Sequence, residues 1–167
     1  MHLIRINTYK PTRLYFRIMK PIKTWIVVAD GTQMRVFFND GPGHGMSELA
    51  DKARSTEIRP SRDIDADRPG RTHDSAGQGR HAMEPSSDSS RHAKRLFSTE
   101  IADEIKKAYY DKAFDRLVLV AAPSMLGDLR AALAKEVQDV IYHELAKDLT
   151  HLDERDLADH LRDILAL

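Results

Sequence analysis

Apolar positions along this chain fall into runs whose period changes from segment to segment, and the changes mark the elements. Thr24-Trp25-Ile26-Val27-Val28-Ala29 is β-branched and aromatic, the composition of a buried strand. Asp30-Gly31 follows, a short hairpin signal because both residues tolerate positive φ, and Met34-Arg35-Val36-Phe37-Phe38 is the returning strand. Asn39-Asp40-Gly41-Pro42-Gly43 gathers turn formers and closes it. Residues 46–56 fit neither period well and are predicted to form a third, edge-like strand.

In the second half the period lengthens. Ala93, Leu96, Phe97, Ile101, Ile105, Ala108 and Tyr109 recur at spacings of three and four, one face of an amphipathic helix. Leu117-Val118-Leu119-Val120-Ala121-Ala122 is apolar on both faces, as a strand covered on both sides must be. Pro123-Ser124 opens a helix carrying Met125, Leu126, Leu129, Leu133 and Val137. Val140-Ile141-Tyr142-His143-Glu144-Leu145 is read as a last strand rather than a continuation of that helix. Leu157, Leu161, Ile164 and Leu165 stripe a C-terminal helix that begins near Asp153. The predicted order, β-β-β-α-β-α-β-α, is that of an α/β fold with a mixed sheet and helices on its faces. Ribonuclease H-like domains and several components of the translation machinery share it.

The segment between these halves changes the picture. From Arg59 to Arg95 the only large aliphatic side chains are Ile64 and Met83. Such a stretch buries too little apolar surface to offset the entropy of ordering it. Long polar loops inside compact domains are uncommon and often functional. Residues 19–167 are therefore expected to form one domain with a Gly/Arg/His-rich loop at 59–92. Residues 1–18 carry Arg5, Lys10, Arg13 and Arg17 without an acid, and are expected to be a loose basic extension.

Composition narrows the chemistry. The chain has no Cys, which excludes disulfides, thiolate zinc sites and thiol catalysis and fits a reducing compartment. No apolar run reaches the length of a membrane span. Residues 1–95 hold 17 Lys/Arg against 11 Asp/Glu, while residues 96–167 hold 9 against 15. That asymmetry suits guidance of an anionic partner, or plain self-complementarity.

Four constellations in the chain could carry chemistry. A two-metal nuclease would use Asp30 with Glu100 or Glu104, but the central strand ends Val120-Ala121-Ala122-Pro123 without the required carboxylate. Asp30 is then a turn residue. His73, His81 and His92 match no compact ligand spacing, so neither a metal nor any other cofactor is expected. Ser75 or Ser124 with a His lacks the sharp strand–Ser–helix elbow of a nucleophile. Phosphate binding has more in its favour. Thr72, Ser75, Gly77 and Gly79 offer hydroxyls and open backbone, with Arg71 and Arg80 adding charge, although a flexible solvated loop would look the same.

Several segments together resemble a known family. They are residues 24–31, Gly70-Arg71-x-x-x-Ser75-x-Gly77-x-Gly79-Arg80-His81-Ala82, Asp115-Arg116-Leu117-Val118-Leu119-Val120-Ala121-Ala122-Pro123, Leu126-Gly127-x-Leu129-Arg130, and Glu144-x-x-Lys147-Asp148-Leu149-Thr150. In order and spacing the set resembles the bacterial host attachment proteins, described as required for attachment to host cells. That family is in turn similar in fold to the central domain of archaeal and eukaryotic peptide-chain release factors. The release-factor domain carries a Gly-Gly-Gln loop in the same broad place, where Gln helps water attack the peptidyl-tRNA ester.

This chain has Ala76-Gly77-Gln78-Gly79-Arg80 instead. The altered glycine order matters because the geometry depends on which residues have free φ. The resemblance thus implies a cytoplasmic, release-factor-like module that binds the ribosome or structured RNA through Arg71, Gly77, Gly79, Arg80 and His81. If there is chemistry, it is peptidyl-tRNA hydrolysis with Gln78 in the catalytic role. The alternative is a non-enzymatic adhesion or protein-interaction factor with a protein partner.

Overall fold

A computed structural model describes residues 20–56 and 85–167. Strands β1 (Thr24–Ala29) and β2 (Gln33–Asn39) form the expected antiparallel hairpin, with Val27 opposite Val36. Next come β3 (Ser47–Glu48), a one-turn 3-10 helix (Ala50–Lys52) and β4 (Arg54–Ser55). Helix α1 (Pro85–Tyr110) leads to β5 (Arg116–Ala121), α2 (Pro123–Ala132), α3 (Lys135–Gln138), β6 (Ile141–Leu145) and α4 (Glu154–Leu161). The six-stranded sheet runs β3-β2-β1-β5-β6, with β4 also on β2, and β1, β5 and β6 are parallel.

The two all-apolar runs are explained by their neighbours. Trp25, Val27 and Ala29 of β1, with Leu117, Leu119 and Ala121 of β5, face α1 and α2. The alternate residues Ile26, Val28, Val118 and Val120 face Leu157 and Leu161 of α4. With helices on both faces, neither strand has a wet side on which to place polar residues.

Four expectations are corrected. The segment at 46–56 is not one strand but two short ones separated by a helical turn, both borne by β2. Helix α1 starts at Pro85, inside the stretch expected to be loop. On that helix Leu96 is 53% exposed while Ser98 is buried, its hydroxyl donating to the Arg95 carbonyl at 2.8 Å. The apolar stripe from Met125 to Val137 is not one helix, since Leu133 is extended and separates α2 from α3. Both Leu133 and Val137 still reach the core.

The C-terminal helix begins where expected, capped by Asp153, whose carboxylate accepts from the Asp156 N–H at 2.8 Å. Helix α1 ends with Lys112 at φ 57°, where the Ala113 N–H reaches the Ala108 carbonyl and the Lys112 N–H that of Tyr109. That is a Schellman ending with a lysine in the position glycine usually takes. Among the described residues no helix is long and apolar enough to cross a membrane.

Candidate functional site

The adjacent parallel strands β1 and β5 end side by side, Ala29 opposite Ala121. From there the chain leaves β1 for β2 on one flank and β5 for α2 on the way to β6 on the other. Divergence of this kind opens a crevice beyond the carboxyl ends of the strands, where α/β sheets bind ligands. A cleft of about 350 Å³ lies there, with Gly31, Thr32, Lys94, Ser124, Asp128 and Asp148 on its walls.

Asp30 frames the cleft. Its Oδ1 accepts from the Thr32 N–H, the Thr32 hydroxyl and the Gln33 N–H at 2.6, 2.7 and 2.9 Å. Its Oδ2 accepts from Gln33 Nε2 at 3.3 Å and from the Thr150 hydroxyl at 2.8 Å. Partial burial disfavours the charge, but bonds from Thr32, Thr150 and Gln33 outweigh it and hold the carboxyl below its usual value. With its lone pairs engaged this way, Asp30 is a turn residue. The Thr150 hydroxyl is also 2.8 Å from Asp148 Oδ1 and has one proton to share between two carboxylates.

The opposite wall is α1. The alkyl chain of Lys94 lies over Gly31 so closely that a Cβ there would stand 2.9 Å from it. Helix α2 supplies the third wall. Its first residue is a proline and its cap, Ala122, offers no side-chain acceptor, so the exposed Ser124 holds the only hydroxyl at that end.

The sequence candidates divide sharply. Arg71, Gly77, Gln78, Gly79, Arg80 and His81, with Thr72, His73 and Ser75, lie outside the described residues. What the structure places is the two flanks of their segment. The Thr56 N–H donates to the Thr32 carbonyl at 2.7 Å, and Lys94, well inside α1, lies over Gly31. One residue before that segment, Thr56, and one after it, Lys94, therefore reach the cleft. The nuclease set does not assemble: Glu100 and Glu104 line a separate hollow with Arg54 and Lys107, and Glu104 pairs with Arg54 at 3.3 Å. Among the described residues no group of three or more acids and histidines is placed to hold a metal.

Lys94, Asp128, Asp148 and Thr150 also line or brace the cleft, and sequence reasoning does not single them out as site residues. Asp148-Leu149-Thr150 carried a local signal, a carboxylate two residues before a hydroxyl, which here forms a turn with the Thr150 N–H on Asp148 Oδ1 at 3.2 Å. Lys94 and Asp128 gave none, since exposed charges on helices are ordinary.

Residues 25–161 match the family model described as protein required for attachment to host cells. The match spans most of the chain, which therefore belongs to that family. No curated protein matches it.

Proposed function

We propose that this host-attachment family member is a cytoplasmic module that binds RNA or a ribosomal surface through its Gly/Arg-rich segment and the adjoining start of α1. The observation that carries the reading is that Thr56, before that segment, and Lys94, after it, both reach one cleft. Arg71 and Arg80 enter the chain between anchors that already present the exposed Arg91, Lys94 and Arg95. Among the described residues Arg91 and Lys94 make no ion pair, and Arg95 only approaches Asp128 at 3.9 Å. Cations without acid partners are available to phosphates. Asp128 and Asp148 make the cleft lining acidic, so a phosphate backbone would run over α1 rather than into the cleft.

Ribosome co-sedimentation and RNA binding across a salt series test this. Arg71→Ala and Arg80→Ala should each weaken binding and flatten the salt slope by about one. Gln78→Ala separates binding from chemistry. Hydrolysis of peptidyl-tRNA lost in that variant, with association retained, would make Gln78 catalytic. Wild type that binds without hydrolysing would make the domain a binding module, which the Gly77-Gln78-Gly79 order favours. Absence of binding at low salt would remove the RNA reading.

The family description favours a second reading, a non-enzymatic adhesion or protein-interaction factor. Cell fractionation separates the two, since an adhesin must be found outside the inner membrane.

A further inference from the structure

The opposite end of the sheet carries a surface that the reading above does not use. Strands β1, β5 and β6 are parallel, so their amino ends lie together, and α1 returns to that end five residues before β5. Among the described residues four large apolar or aromatic side chains are exposed, and three of them sit there: Ile22 just before β1, Tyr110 at the end of α1 and Tyr142 at the start of β6. Tyr110 and Tyr142 are 59% and 54% exposed.

Cations share this end with the tyrosines, and among the described residues Lys20, Lys23, Lys112 and Arg116 pair with no carboxylate. The Arg116 guanidinium lies 4.4 Å over the Tyr142 ring and donates from Nε to the Thr24 hydroxyl at 2.7 Å. Lys23 Nζ donates to the Lys112 carbonyl at 3.2 Å rather than to an acid. Lys20 and Lys112 are exposed and make no ion pair among the described residues. Acids at this end include Asp40, Asp111, Asp115 and Asp139, but Asp40 faces His44 at 2.8 Å, Asp139 faces Lys135 at 3.4 Å, and Asp115 Oδ2 accepts from the Lys23 N–H at 2.8 Å.

We propose that this end of the sheet is a binding surface for single-stranded nucleic acid, with bases stacking on Tyr110 and Tyr142 and phosphates meeting Lys20, Lys23, Lys112 and Arg116. Exposed aromatic faces interleaved with unpaired cations are what an unpaired strand requires, because every base has a π face and every link a charge. The outer face of Tyr142 is the stronger platform, since Arg116 backs the ring from the other side. A protein partner would also use tyrosine and arginine, but the cations without acid partners favour a polyanion.

Fluorescence anisotropy of the full chain with a labelled oligouridine of about 12 nucleotides tests the assignment. Tyr110→Ala and Tyr142→Ala should each weaken binding about fivefold or more, while Tyr142→Phe, which keeps the ring, should bind as wild type. Lys20→Ala with Lys112→Ala should flatten the salt slope without touching a ring. Unchanged affinity in the double tyrosine variant overturns the inference. Loss on Arg71→Ala and Arg80→Ala with the tyrosine variants unaffected overturns it too and leaves the loop reading standing. The reverse pattern supports it and sinks the loop reading alone. If wild type binds no oligonucleotide, the inference fails. Loss of a bound protein in the tyrosine variants would then reassign the surface to that partner.

Discussion

Thr150 donates its hydroxyl to Asp30 at 2.8 Å across 120 residues of chain, tying the segment after β6 to the turn after β1. Thr150 is buried and Asp30 partly so, which places the bond at the inner edge of the cleft. Arg35 braces the same segment. It pairs with both carboxylate oxygens of Glu48 at 2.8 and 2.6 Å and donates to the Thr150 and Leu152 carbonyls at 3.2 and 2.5 Å.

Removing that hydroxyl isolates its contribution. Thr150→Val keeps the shape but leaves Asp30 Oδ2 with Gln33 alone, and should cost about 1–2 kcal/mol. Thr150→Ser, which keeps the hydroxyl, should cost less. Urea midpoints of the two variants against wild type check the order.

Acid should weaken the same network. Asp30 and Glu48 are both held below their usual values, Glu48 chiefly by the Arg35 hydrogen bonds. A carboxyl depressed by folding stabilises the native state above its unfolded pKa, near 4, and that stability is lost as pH falls through the folded value. Urea midpoints at about pH 7 and about pH 3 should therefore fall less for Asp30→Asn than for wild type. An equal fall in both would show that Asp30 does not contribute.

The centre of the sheet should tolerate no charge. Val120 is 1% exposed, on the face covered by α4. Val120→Asp buries an unpaired carboxylate and should cost at least about 4 kcal/mol. A near-wild-type melting temperature would contradict the placement of β5 between β1 and β6.

Lys112 should be improvable. A lysine at φ 57° carries a steric penalty of about 1–2 kcal/mol that glycine avoids. Part of the gain is offset by the greater freedom of glycine in the unfolded chain. Lys112→Gly should raise stability by about 0.5–1 kcal/mol, read from the thermal midpoint.

The sequence alone determined the hairpin, the doubly buried β5, the helix start at Asp153 and the polar break between the two halves. Each rests on residues close in the chain, where alternation, turn chemistry and capping act without distant partners. Tertiary structure decided what depends on register between remote segments. Leu96 lies on the predicted apolar stripe, yet it stays exposed while Ser98 turns inward, because packing against α2 selects the buried face. Residues 46–56 became two short strands because β2 supplied their hydrogen bonds, not because their own pattern demanded it. The cleft was illegible for the same reason. Asp30, Lys94, Ser124 and Asp148 come from four elements or their ends, and only the parallel pairing of β1 with β5 brings them to one edge. Local periodicity reports which side of an element is apolar. It contains nothing about which other element's polar end will stand opposite.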